Sequence, residues 1–137
     1  MNYCLYCQKN ETLHELMLHI ADLSVSSVFL FKEQSYKGRC VVAYKKHDVE
    51  LRDLDDSDLL AFMKEVNKVA SAIDANFHPA KINYGMYSDK LKHLHVHLVP
   101  KYEDGLDYGG TFQMNPKAVY LSEEAYSEII EKMKKNL

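Results

Sequence analysis

Between positions 93 and 99, polar and apolar side chains alternate one by one: His93-Leu94-His95-Val96-His97-Leu98-Val99. A period of two marks a strand with one face on a core, so a strand is predicted over 94–99. Its imidazoles fall on one face and its apolar residues on the other. Segments 16–23, 25–33 and 80–87 are predicted strands, as is Cys40-Val41-Val42-Ala43-Tyr44, which follows the break at Tyr36-Lys37-Gly38. Polar residues at 88–92 predict a turn before the histidines. Leu59, Met63, Val66, Ala70 and Ile73 recur at helical spacing behind the acidic N-cap candidates Asp55 to Asp58. Ser122 predicts the cap of a C-terminal helix over 123–135, acids first and lysines last. Residues 1–12 read as polar and irregular, with a short helix possible over 11–18. Hairpin-like strand order with one long intervening helix predicts an α+β domain on an antiparallel sheet, spanning residues 1–137 as one unit.

Composition narrows the function classes. The 137 residues are 47% hydrophobic and 27% charged, with a net charge of −3, which argues against a general nucleic-acid binder. No apolar run has the length of a membrane span, and Met1-Asn2-Tyr3-Cys4 carries no export pattern. Three cysteines, an odd number, suit a reducing compartment better than a disulfide framework. The expected location is cytoplasmic, with neither nucleic acid nor membrane as partner.

Three of the seven histidines stand in the 93–97 run, and imidazole changes charge near neutral pH. Strand residues i and i+2 lie roughly 6.6 Å apart and i and i+4 roughly 13 Å. Two neighbouring rings can meet at one ion, but His93 and His97 on a regular strand cannot easily do so. A metal site, metal-free histidine chemistry and a structural cluster all remain open from the residues alone. In the metal-free case, an imidazole with its Nδ1–H held by a carbonyl presents an Nε2 lone pair to phosphorus. Such a site needs no glycine-rich phosphate loop, and no GxxxxGK[ST] run is present. Cys4-Leu5-Tyr6-Cys7 adds a Cys-x-x-Cys pair; zinc fits it better than redox chemistry, but two thiolates require two further ligands.

The run from His93 to Val99 resembles the signature of the histidine-triad (HIT) family of nucleotide hydrolases and transferases. Gly38 to His47 resembles the family strand that ends in Pro-Lys-Lys-His, Asn83-Tyr84-Gly85 its Asn-x-Gly, and Pro100-Lys101 the pair closing the signature. The resemblance implies a roughly five-stranded antiparallel sheet with one long helix and a C-terminal helix, assembled as a homodimer. It implies cleavage of a small nucleotide substrate, of the nucleoside phosphoramidase or dinucleotide hydrolase type, or nucleotidyl transfer. His95 would attack the α-phosphorus, His97 would bind a phosphate oxygen, and Asn83 would contact the phosphate or leaving group. Glu33 lies where relatives place a ribose-binding residue, and Lys90 and Lys92 are phosphate-contact candidates. Similar proteins with an N-terminal cysteine pair imply a structural Zn2+ on Cys4, Cys7, His47 and His93, with no organic cofactor. Two departures stand out: Arg39 replaces a histidine common in relatives, and Asp89-Lys90-Leu91-Lys92 replaces a Gln-Ser segment. An arginine cannot act as a neutral imidazole, though it could pair with an acid or a phosphate. A non-catalytic nucleotide-binding regulatory module is the alternative these departures motivate, and a metal-dependent hydrolase is a third.

Overall fold

The apolar runs pair into one antiparallel sheet of order β1-β2-β3-β5-β4 in a computed structural model that describes residues 4–137. The strands are β1 (Met17–Asp22), β2 (Ser26–Phe31), β3 (Cys40–Tyr44), β4 (Lys81–Gly85) and β5 (His95–Lys101). The helices are α1 (Leu5–Gln8), α2 (Glu11–Leu16), α3 (Asp56–Phe77) and α4 (Glu123–Lys135), with a 3-10 turn at Leu51–Asp53. Among the described residues, no helix is long and apolar enough to cross a membrane.

Both central strands β2 and β3 are buried at every position, because the sheet is covered on two sides. On one side α3 and α4 close the main core, in which Phe62, Val66, Val69 and Ile73 meet Val28, Leu30, Val42, Val96 and Leu98. On the other, α1 and α2 bring Cys4, Leu5, Tyr6 and Leu13 against Phe29, Phe31, Val41 and Ala43. Antiparallel strands ordinarily leave one face wet and alternate in polarity. Here the second cover removes that alternation, so Val28 to Phe31 of β2 and the whole of β3 read as continuous apolar runs.

The predicted α3 stripe is correct in period and turned in phase. The fully buried side chains are Phe62, Val66, Val69 and Ile73, while Leu59 and Met63 sit at the margin. Phe62 is the reason: its ring meets Tyr44 edge-on at 5.5 Å and fixes which face enters the core. Asp55 and Ser122 cap α3 and α4 by accepting from the Asp58 and Ala125 N–H groups. The expectation of an irregular N-terminus fails at Leu5–Gln8, where α1 forms, while the short helix expected over 11–18 forms as α2 over Glu11–Leu16; residues 1–3 lie outside the described residues. Strand β5 runs two residues further than predicted, through Pro100 to Lys101. Its pairing with β3 ends at Leu98, the edge-like setting in which a strand tolerates proline.

Candidate functional site

The three histidines divide between two jobs, and the division starts at the strand boundary. His93 precedes β5, whereas His95 and His97 lie within it, opposite Ala43 and Val41 of β3. Leu94, Val96 and Leu98 point the other way, into the core under α3.

His93 turns toward the N-terminal cysteines. Its Nδ1 lies 3.2 Å from Cys4 Sγ, 3.6 Å from Cys7 Sγ and 3.2 Å from His47 Nδ1, and Cys7 Sγ lies 3.3 Å from His47 Nδ1. For a tetrahedral ion with bonds of about 2.0 Å to nitrogen and 2.3 Å to sulfur, the ligand atoms would sit roughly 3.3 Å (N to N) and 3.6 Å (N to S) apart. The observed separations match that figure closely. His93 Nε2 is 2.7 Å from the Tyr44 carbonyl, which can only accept, so the proton sits on Nε2 and Nδ1 presents its lone pair to the cluster. All four ligand atoms lie within 4.8 Å of one another. This is a four-residue set that can hold a metal ion, and with four protein ligands it has no open position for a substrate.

His95 is held by its own strand. Its Nδ1 is 2.7 Å from the His93 carbonyl, so that nitrogen carries the proton and Nε2 carries the lone pair. Ser88, in the left-handed region at φ 63°, lies 3.4 Å from the same Nδ1 and donates to the same carbonyl at 3.0 Å. Burial disfavours the imidazolium and lowers the His95 pKa, although the hydrogen bond to His93 opposes it. The ring opens onto a cavity of about 620 Å3 that His97 also lines, together with Leu5, Tyr6 and Leu16 on one side and Tyr87 to Leu91 on another. Phe112, Met114 and Asn115 complete the wall. Gly85, opposite His97 in register, lets Tyr87 and Phe112 approach, since a Cβ there would stand 2.6 and 2.7 Å from their rings.

His97 faces a different partner. Arg39 Nη2 is 3.0 Å from His97 Nδ1, and its Nη1 donates to the Gln113 carbonyl at 3.2 Å. Burial lowers the His97 pKa to about 2, with the Arg39 charge adding to the effect. Arg39 thus meets an imidazole, and among the described residues no acid lies within ion-pair distance of it. Gly38, at φ +93° and packed against Phe77, turns the chain so that Arg39 enters beneath the sheet face, where the nearest polar group is an imidazole.

Among the other candidates, only Lys90 joins the cavity wall; Lys92 and Asn83 do not line it. Asn83 shares the sheet face of Gly85 but lies two residues further from the rings. Glu33 is 3% exposed and is engaged elsewhere: its oxygens accept from Ser35 N, Ser35 Oγ, Ala118 N and Val119 N. The carboxylate therefore anchors the segment leading into α4 and has no oxygen turned to the cavity. Burial alone would raise its pKa, but these bonds outweigh burial and hold it below the ordinary carboxylate range. A depressed folded-state pKa contributes stability above the unfolded value, and that contribution disappears as pH falls through the folded one. Glu33→Gln, which turns an amide N–H group toward at least one of those donors, is expected to cost about 1–3 kcal/mol at neutral pH. The variant's stability should also fall less steeply on acidification. Urea denaturation of both proteins at pH 7 and near pH 4 checks both points.

Sequence reasoning missed Ser88, Tyr6 and the wall at 112–115. Lys101 Nζ donates to the Asp107 and Gly110 carbonyls at 2.7 Å each and so fixes the loop that carries that wall. The glycines of that loop were the only signal, and they mark its turns without naming the residues that reach the cavity.

Comparison with known proteins agrees with this geometry. The HIT domain family model matches residues 17–104. A 16.1 kDa HIT-like protein of Mycoplasma pneumoniae is 33% identical over 76 residues, 52% of this chain and 53% of that protein. The matched stretch thus spans about half the length of that relative. A histidine triad protein from Sinorhizobium meliloti superposes with a TM-score of 0.85 at 22% identity, covering 93% of this chain and 95% of the other. A Zn-bound histidine triad family protein from Mycobacterium smegmatis gives 0.67 at 18% identity, with 98% and 93% covered.

Proposed function

Because the chain belongs to the HIT domain family, we propose that it is a nucleotidyl hydrolase or transferase that works through a covalent nucleotidyl-histidine. The observation that carries the reading is the His95 Nδ1 to His93 carbonyl bond, which leaves a bare Nε2 lone pair at an open cavity. That lone pair attacks the α-phosphorus of a nucleoside monophosphate ester, amidate or anhydride. The bond to the leaving group breaks as the N–P bond forms, and water or another acceptor then resolves the adduct. His97, proton on Nε2, donates to a non-bridging oxygen as charge builds on it. Lys90 at the cavity wall adds positive charge for the phosphate.

Intact-mass analysis after brief incubation with AMP- and GMP-linked amidates and anhydrides tests the reading. A nucleotidyl adduct that maps to the peptide holding His95 is the expected result; no adduct together with no turnover rejects it. The alternative, a nucleotide-binding regulatory module, draws on Arg39 in place of the usual histidine. Tight nucleotide binding without hydrolysis of any member of that panel would favour it.

The same reading assigns a structural Zn2+ to Cys4, Cys7, His47 and His93, since thiolate and imidazole donors in a closed four-ligand set suit that ion. It also makes the protein a cytoplasmic homodimer. Supporting the dimer, β4 is an edge strand of the sheet with Tyr84 exposed on it. Sedimentation equilibrium should give twice the chain mass, and a Tyr84→Lys change should shift it toward the monomer.

A further inference from the structure

Arg39 is fully buried, yet among the described residues no carboxylate lies within ion-pair distance of it, and its Nε has no hydrogen-bond partner. A cation kept in the interior under those conditions needs a reason. Its guanidinium lies 4.1 Å from the Phe31 ring centroid and 5.2 Å from that of Phe112, so the rings hold it in place. Its one side-chain nitrogen partner is His97 Nδ1.

Building on the nucleotidyl-transfer reading, we propose that Arg39 is a positioning residue that fixes His97 as a donor-only imidazole and thereby selects substrates by leaving group. Those that depart as weakly basic oxyanions, such as a phosphate released from an anhydride, are cleaved; amines are not.

Arginine has five donors and no acceptor, so the nitrogen facing it must accept. The single proton of His97 is then on Nε2, toward the cavity. Giving that proton away would leave an imidazolate unless Arg39 supplied another. Burial lowers the Arg39 pKa only to about 10, so the guanidinium keeps its proton at neutral pH. Protonating Nδ1 first would set two donors face to face. His97 therefore stabilises charge on oxygen but delivers no proton, and His95 is committed to attack. In the first step the His95 Nε2 lone pair forms the N–P bond while the bridging P–O bond breaks, its electron pair leaving with the oxygen. In the second, water forms a new P–O bond, the N–P pair returns to Nε2, and the water proton passes to solvent. Both steps balance without an acid when the leaving group is a stable anion. An alkylamine leaves only if its nitrogen is protonated, the task of the missing acid.

The test measures kcat/KM of the full chain and of Arg39→His on AMP p-nitrophenyl ester, AMP phenyl ester and an AMP alkylamidate. Wild type is expected to cleave the alkylamidate about 100-fold or more slower than the p-nitrophenyl ester, the low end of what general acid catalysis supplies. Arg39→His, which restores a group able to relay a proton, should narrow that ratio by about tenfold or more. A wild-type ratio near one overturns the proposal, as does a variant that slows all three substrates equally. Imidazole 15N NMR of the wild-type protein does not depend on the variant folding: His97 should show a bare Nδ1 and a protonated Nε2 at neutral pH. A protonated Nδ1 overturns the assignment. The correct tautomer with no turnover of any substrate and no His95 adduct instead identifies the nucleotidyl-transfer reading as what failed, and the selectivity falls with it.

Discussion

Replacing His95 by alanine is expected to leave a folded protein that turns over nucleoside monophosphate anhydrides and p-nitrophenyl esters roughly 10⁴-fold more slowly or worse, the scale on which loss of the proposed covalent nucleophile falls. The size of the effect follows from the site, in which the other imidazole is not placed to take over the attack. Among the described residues, His97 is the only other imidazole lining the cavity, and its Nδ1 lone pair faces Arg39. Its Nε2 carries the proton and has no lone pair in the ring plane to offer. Cys4 and Cys7 belong to the metal set. Stability should change far less, because His95 contributes one hydrogen bond to its own strand and packing at 5.0 Å against Tyr6. Thermal melts and steady-state rates on the same preparation check both halves; undiminished turnover in a folded variant would refute the mechanism. His97→Ala should be milder, about 10²- to 10³-fold in kcat, since it removes one oxyanion donor and leaves the nucleophile in place.

What could be read from the sequence depended on how local its cause was. Strand β3 and helix α4 were predicted to the residue, because Gly38 ends the preceding turn, and Ser122 and the terminal lysines bound the helix chemically. Strand spacing said only that His93 and His97 could not easily share one ion; the division into one ligand and two site residues was what the family resemblance implied. Helix α1 was invisible: four residues carry too little periodicity, and Leu5 and Tyr6 are buried by contact with a sheet that arrives later in the chain. The phase of α3 was decided by Tyr44, which lies outside the helix. Glu33 and Arg39 show the same limit at the site itself. One is claimed by backbone donors 85 and 86 residues away and the other by an imidazole 58 residues away, so side-chain type alone could not assign either.

If Cys4, Cys7, His47 and His93 hold the proposed ion, removing it is expected to lower the melting temperature by roughly 10 °C, corresponding to about 3 kcal/mol in a chain of this size. The four ligands come from three separate regions: Cys4 caps α1 and Cys7 lies within it, His47 follows β3 and His93 precedes β5. An ion bound there ties the N-terminal cover to the sheet, and without it Tyr6 and Leu5 must hold that cover by packing alone. An ion held there would be coupled to the proposed nucleophile through one residue. The His93 ring belongs to the ligand set, while the His93 carbonyl accepts from His95 Nδ1 and sets the tautomer that exposes Nε2. Loss of metal should therefore reduce kcat as well, even though the ion touches no substrate. Treatment with a strong chelator, and separately a Cys4→Ser, Cys7→Ser double variant, should each produce both effects in parallel. Cobalt or cadmium returned to the stripped protein should restore stability and rate together, because either ion can hold His93 in place. A rate that instead followed the identity of the ion, at equal melting temperature, would mean that the metal takes part in the chemistry.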